Sequence, residues 1–287
     1  MAASMPRMDD FSDYPPPDQP PAAQPYQAYL DASREPLTGL WFALPLFLVY
    51  HAGIWWLQHF DHSDWLSAAD VLIARGLSWL GAGAPFISFI FVMFCFLVAQ
   101  QATGRPWRRP GLGTLSWMAA ESLFFALPVF LLSRATRFVV RDLHPQWLAA
   151  VDAAPWMDGT AAMAGAAAAG EAPWTKFLAD VSLSCGAGVY EEFLFRMLLL
   201  GGLVRLSRRW PGRRGGAAPL WPILLQALLF AAFHHLPGSP EPWVWEVFAF
   251  RVAAGVYFAY LYMERGFGVA AGAHAGYDLI AIALPWR

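Results

Sequence analysis

The residues of this chain that could do acid–base or metal chemistry gather towards its C-terminal end. They occur in three short sets. The first is Tyr190-Glu-Glu-Phe-Leu-Phe-Arg196, the second Phe230-Ala-Ala-Phe-His-His235, the third His274-Ala-Gly-Tyr-Asp278, with Arg251 between the last two. On a helix, residues four apart share a face. Glu192 and Arg196 can therefore neutralise each other, and His274 and Asp278 can hydrogen-bond. Glu191 is turned about 100° from Glu192, so another helix must supply its partner. Phe230 lies one turn before His234 and can pack beside the imidazole. The sets can converge in a bundle interior as Glu191, His234, His274 and Asp278.

Two chemistries suit that set, and the spacing leaves both open. In one, Glu191 with His234 polarises a water for attack on a peptide carbonyl, and His274 donates to the developing oxyanion. A carboxyl buried in apolar surroundings is pushed up towards neutrality, which suits this work. In the other, Glu191, His234, His274 and Asp278 bind Zn²⁺ through N and O atoms, and metal-bound water attacks. No His-Glu-x-x-His is present, so the usual helical zinc-protease signature is missing. Ser182, Ser184 and Cys185 precede Glu191 on the same run, but no Gly-x-Ser-x-Gly elbow surrounds them. His235 points away from His234 and reads as a helix-end group before Pro237-Gly238.

The elements that must position these residues are apolar. Of 287 residues, 57% are hydrophobic and 14% charged, with a mean hydropathy of +0.40. An ordinary soluble domain is about 25% charged. This predicts an all-α, polytopic transmembrane bundle of about seven to eight spans. A net charge of −2 gives no basic footprint for nucleic acid. Cys95 and Cys185 both lie in apolar runs, which excludes a disulfide scaffold. The basic residues are almost all Arg, with Lys176 the single Lys, a bias of the source that reads as bacterial.

Spans are expected at Gly39–Leu57, Pro85–Gln101, Leu115–Ser133, Phe177–Val204, Leu220–His235, Trp243–Met263 and Val269–Trp286, with an interfacial helix at Asp64–Leu80. Arginines follow the second, fourth and sixth runs (Arg105, Arg108 and Arg109; Arg205, Arg208, Arg209, Arg213 and Arg214; Arg265). By the positive-inside rule the N-terminus is cytoplasmic. Arg134, Arg137 and Arg141 fall on the opposite side and do not fit that count. Three regions result: an acidic, Pro-rich tail at 1–37, expected to be disordered and cytoplasmic; N-terminal helices at 38–175, including the Ala/Gly-rich run near 161–170; and a membrane domain at 176–287 holding the three sets. A charge at membrane depth costs at least about 2.5–3.5 kcal/mol on insertion scales. Glu121 and His51, isolated in the early spans, read as satisfied groups. The C-terminal cluster reads as a site.

These sets resemble the motifs of the CPBP (Abi-domain) family of intramembrane proteases, which includes the type II CAAX prenyl endopeptidase. The family pattern is Glu-Glu-x-x-x-Arg, then Phe-x-x-x-His, then His-x-x-x-Asn or Asp. It is matched by Glu191-Glu192 with Arg196, Phe230 with His234, and His274 with Asp278. The likeness covers about residues 180–285. It implies an all-helical endopeptidase of the glutamic type with no cofactor, Zn²⁺ being the alternative that goes with the same four residues. Glu191 and His234 would activate water, His274 and Asp278 would form the oxyanion site, and Glu192 with Arg196 would be structural. Asp278 departs from Asn: an ionised Asp only accepts, so it must be protonated or instead orient His274, and orientation is favoured. The expected partners are membrane lipids and a protein or peptide substrate with a membrane-embedded or lipidated segment, cut near its C-terminus or anchor in a bacterial inner membrane. A non-catalytic immunity or scaffold protein is the competing reading. A proton-coupled transporter ranks last, because the first spans do not echo the charges of the later ones.

Overall fold

The computed structural model describes residues 25–61, 66–79, 81, 86–143, 173–208, 220–235 and 243–284. Residues 1–24 of the tail, the Ala/Gly-rich loop, Arg209, Arg213, Arg214, Pro237-Gly238 and Trp286 lie outside the described residues. All elements assigned among the described residues are helices: α1 (Pro25–Ser33), α2 (Pro36–Trp56), α3 (Ala68–Trp79), α4 (Ile87–Thr103), α5 (Leu112–Leu143), α6 (Pro173–Glu192), α7 (Gly201–Arg208), α8 (Leu220–Phe233) and α9 (Trp245–Ala283). A π-helical turn, Leu57–Asp61, follows α2, and a π-helical segment, Phe193–Leu200, joins α6 to α7.

Residues 25–33 and 36–37, expected within the disordered tail, are instead helical. Pro36 begins α2 at a position where its missing N–H would have no intrahelical partner anyway. The chain before it is held by Tyr29, whose hydroxyl donates to Glu121 at 2.8 Å. Burial, and then the Glu121 carboxylate beside it, pushes the Tyr29 phenol well above its ordinary range, so it remains a donor.

Among the described residues, three helical segments are long and apolar enough to cross a membrane by length and composition: Pro36–Asp61, Leu112–Leu143 and Trp245–Ala283. α4 and α8 are shorter apolar helices. The expected sixth and seventh runs are the two limbs of α9, residues 245–265 and 267–283, broken at Gly266 (φ 81°, ψ 178°). Only glycine takes that conformation without strain. A Cβ there would also sit 2.8 Å from the Arg34 Cα. The third run is longer than expected, because α5 carries Arg134, Arg137 and Arg141 on as helix. Arg134 Nη2 donates to the Leu284 carbonyl at 2.8 Å, placing a cation at the C-terminal end of α9, where the helix dipole favours it.

α6 packs between α2 and α9, and α9 also covers α5 and α8. One core joins α2, α3, α4 and α6 through Phe47, Tyr50, Phe96, Tyr190 and Phe193; a second joins α5 and α9 through Met118, Val129, Phe250 and Phe258. The outer faces are apolar as well: Leu123, Phe124, Leu127 and Leu131 on α5 and Leu224, Leu225, Leu228 and Leu229 on α8 are exposed. Contiguous stripes of that kind fit lipid rather than water. Glu121 and His51 are both satisfied. Arg265 reaches Glu121 at 2.6 Å, and His51 Nε2 bonds the Tyr190 hydroxyl at 2.8 Å.

The approach of α6 to α9 depends on Gly188. A Cβ there would lie 2.8 Å from the Ala271 carbonyl and 2.8 Å from the Ala275 Cβ, so the helices meet backbone to backbone. Gly188→Leu is expected to cost about 3 kcal/mol by overpacking, read as a lower thermal midpoint in detergent, whereas Gly202→Ala, which meets nothing within 4 Å, should leave it unchanged or higher. Glu121→Ala leaves Arg265 buried without its carboxylate and is expected to cost about 3 kcal/mol in the same measurement.

Candidate active site

Glu191 and Glu192 end α6, where the helix passes into the π-helical segment Phe193–Leu200 that carries Arg196. π-helical insertions recur at functional sites because they re-aim side chains within an otherwise regular helix. Phe230 comes from α8 and His234 from the turn that ends it, while His274 and Asp278 come from the second limb of α9. Because α6 meets that limb at Gly188, the carboxylates reach the imidazole one turn further along.

Glu192 and Arg196 are both fully buried, and their ion pair is 3.1 Å long, as the i,i+4 spacing predicts. The Arg196 guanidinium also lies over the Phe230 ring at 4.3 Å and the Phe258 ring at 5.5 Å, which compensates a cation that has no water. The other Glu192 oxygen takes His274 Nδ1 at 2.8 Å. This differs from the expected i,i+4 hydrogen bond between His274 and Asp278, whose closest approach is 3.9 Å. Glu192, and not Asp278, therefore orients His274. The physical reason is distance: Asp278 rises along the same helix as His274, whereas Glu192 faces its ring from across the α6–α9 contact. Phe258 fixes the ring plane by stacking on it, with centroids 4.8 Å apart and planes 15° from parallel.

Glu191 is left facing two imidazoles. Its Oε2 is 3.8 Å from His234 Nε2 and 3.9 Å from His274 Nε2, and its Oε1 has no hydrogen-bond partner among the described residues. His234 Nδ1 lies 2.9 Å from the Phe230 carbonyl. A carbonyl only accepts, so Nδ1 carries the proton and Nε2 presents a lone pair towards Glu191. The four residues share a cavity of about 40 Å³ with Val129, Phe230, Phe250, Arg251, Ala254, Phe258 and Tyr277. A space of that size holds water, and a water between Glu191 Oε2 and His234 Nε2 would donate to both.

All the expected site residues thus meet in or beside one cavity: Glu191, His234, His274 and Asp278 line it, and Glu192 and Arg196 support it. Ser182, Ser184 and Cys185 do not line it, and Ser184 donates back to the Asp180 carbonyl of its own helix at 2.7 Å. His235 is also outside, packed on Trp243 with centroids 4.7 Å apart. Sequence reasoning gave no role to Arg251 or Phe258. The signal was present, because Arg251, Ala254 and Phe258 repeat at helical spacing and so share the face of α9 that lines the cavity.

The residues that would hold a metal ion are Glu191, His234, His274 and Asp278: His274, with Nδ1 on Glu192, keeps Nε2 for a ligand, while Arg251 places a fixed cation on the same cavity wall. Among the described residues, no group of three or more His, Cys, Asp or Glu side chains is arranged to hold a metal ion.

Residues 173–280 match the family model described as Rce1-like, type II CAAX prenyl endopeptidase Rce1-like. No curated protein and no solved structure matches the chain. The matched segment holds every one of the three motifs and the helices that bring them to one cavity. Over residues 173–280 the chain is therefore similar to the Rce1-like family of type II CAAX prenyl endopeptidases.

Proposed function

We propose that this protein is an intramembrane endopeptidase of the glutamic type, in which Glu191 and His234 activate a water without a metal ion. The observation that carries the reading is the placement of Glu191 Oε2 within 4 Å of two imidazole nitrogens in a cavity of about 40 Å³. A water there donates one hydrogen to Glu191 and one to the His234 lone pair. Its oxygen attacks the carbonyl carbon of the scissile peptide, its proton passes to Glu191, and the carbonyl π pair moves to oxygen. Collapse of the tetrahedral intermediate breaks the C–N bond. The proton held by Glu191 goes to the leaving nitrogen, giving a carboxylic acid and an amine. Glu192 and Arg196 take no part in the proton transfers; they hold the His274 ring and neutralise each other.

The substrate is a protein or peptide whose membrane-embedded or lipidated segment brings a bond near its C-terminus or anchor to the cavity. The apolar outer faces of α5 and α8 support entry from lipid. The protein is read as a multi-pass protein of a bacterial inner membrane with its N-terminus in the cytoplasm, supported by Arg105, Arg108, Arg109 and Arg205 at one end of the helices.

Two measurements test this. In membranes from cells producing the chain, mass spectrometry of new protein termini should find cleavage products that fall by at least about 100-fold with Glu191→Gln. Products that persist at full level in that variant, or that never form with the unaltered chain, would overturn the assignment. A strong chelator should leave cleavage in the purified protein unchanged. Activity lost to the chelator and restored by added Zn²⁺ would instead establish the metal-dependent form.

A further inference from the structure

The oxyanion site implied by the third motif lacks donors in this chain. His274 gives its Nδ1 proton to Glu192, at 2.8 Å, so a neutral His274 presents a bare Nε2 to the cavity. Asp278, where the family pattern also allows Asn, carries no N–H; an ionised carboxylate can only accept. Neither residue can donate to a developing oxyanion unless it first takes up another proton. A tetrahedral intermediate formed on a peptide carbonyl needs such donors at the position its oxygen will occupy.

Two other side chains on the cavity wall carry donors, Tyr277 and Arg251, and of these only the arginine brings a positive charge to meet the developing negative one. Arg251 is 4% exposed, lies on the first limb of α9 and lines the same cavity of about 40 Å³ as Glu191, His234, His274 and Asp278. A guanidinium is always protonated and carries five N–H donors in a planar fork. Its Nη1 is 3.5 Å from His235 Nε2, so the head group sits at the end of the cavity next to the turn that carries His234. Ala254, one turn along the same face, lines the cavity as well. Arg196, the other buried arginine nearby, is committed to Glu192 and two aromatic rings and does not line the cavity.

Resting on the water-activating role of Glu191, we infer that Arg251 is a catalytic residue that donates to the oxyanion of the tetrahedral intermediate, replacing the donors that Asp278 and His274 do not supply.

The test uses the full chain in detergent and a fluorescence-quenched peptide spanning the bond that is cut in the membrane assay above. Arg251→Met should lower kcat by about 100- to 1,000-fold while KM changes by less than about threefold, since the interaction exists only in the transition state. Arg251→Lys, which keeps the charge and loses the fork, should fall between. Adding Asp278→Asn to Arg251→Met should recover at least about tenfold in kcat, because the amide restores an N–H at the family position. A merely structural arginine would not be rescued by that change. A kcat within about threefold of the parent in Arg251→Met, with Glu191→Gln inactive, would overturn the inference and leave the protease reading standing. A loss seen mainly in KM, with no recovery on adding Asp278→Asn, would overturn it too. Full activity in Glu191→Gln would remove the protease reading itself. If Arg251→Met has no thermal transition in detergent, Arg251→Lys and its Asp278→Asn double variant decide by the same kcat criteria.

Discussion

A carboxylate with no water around it must find its counter-charge inside the protein, and here that demand falls on two neighbours at once. Glu191 and Glu192 are both buried, at 1% and 0% exposure, at the end of one helix. Glu192 takes two donors: the Arg196 guanidinium from its own helix at 3.1 Å and His274 Nδ1 from α9 at 2.8 Å. Breaking a pair buried to this degree costs about 3–5 kcal/mol, so the arrangement is stiff. Its consequence is asymmetry. One carboxylate is spent on structure, and the other is left facing a water-sized cavity and two imidazoles, where it can hold or release a proton.

The rest of the fold serves that asymmetry. His274 can reach Glu192 only if α6 and the second limb of α9 touch, and they touch because Gly188 adds no side chain between them and Ala271 and Ala275. That limb needs its own direction, independent of the first, and the break at Gly266 provides it. Arg265, beside the break, is tied to Glu121 of α5 and to Ser33 at the end of α1, which anchors the bend. The N-terminal helices contribute in the same sense, although the family match begins only at residue 173. His51 of α2 bonds Tyr190, and Tyr50 donates to Asp70 of α3 at 2.7 Å. The residue immediately before Glu191 is thereby held from the far side of the bundle. Reacting groups supported in this way keep their geometry without reorganising as charge develops.

Much of the arrangement was legible in the amino-acid order. The apolar runs lie where the helices are, and the motif spacing correctly pairs Glu192 with Arg196. The isolated charges Glu121 and His51, read as satisfied, have the partners that reading requires. The departures have local causes. Residues 25–37 have a polar, Pro-rich composition that suggests disorder, yet Tyr29 and Ser33 find partners on α5 and α9 that no local pattern can announce. Arg134, Arg137 and Arg141 look like a loop because charge interrupts the hydropathy. They remain helical, and Arg134 has a helix end to bond.

By itself the sequence determined which residues can do chemistry and which helical faces they occupy, because both follow from side-chain type and a fixed rotation per residue. It also determined that the helices meet an apolar surrounding, because so few charges are spread over so many hydrophobic residues. Which partner each charged group chooses was decided only by the tertiary structure. His274 lies one helical turn from Asp278 in the chain but bonds Glu192, eighty-two residues away. Arg251 has no motif around it but lines the cavity. Contacts between helices depend on how closely their backbones pack and where they bend, and those are properties of the whole bundle that no local spacing contains.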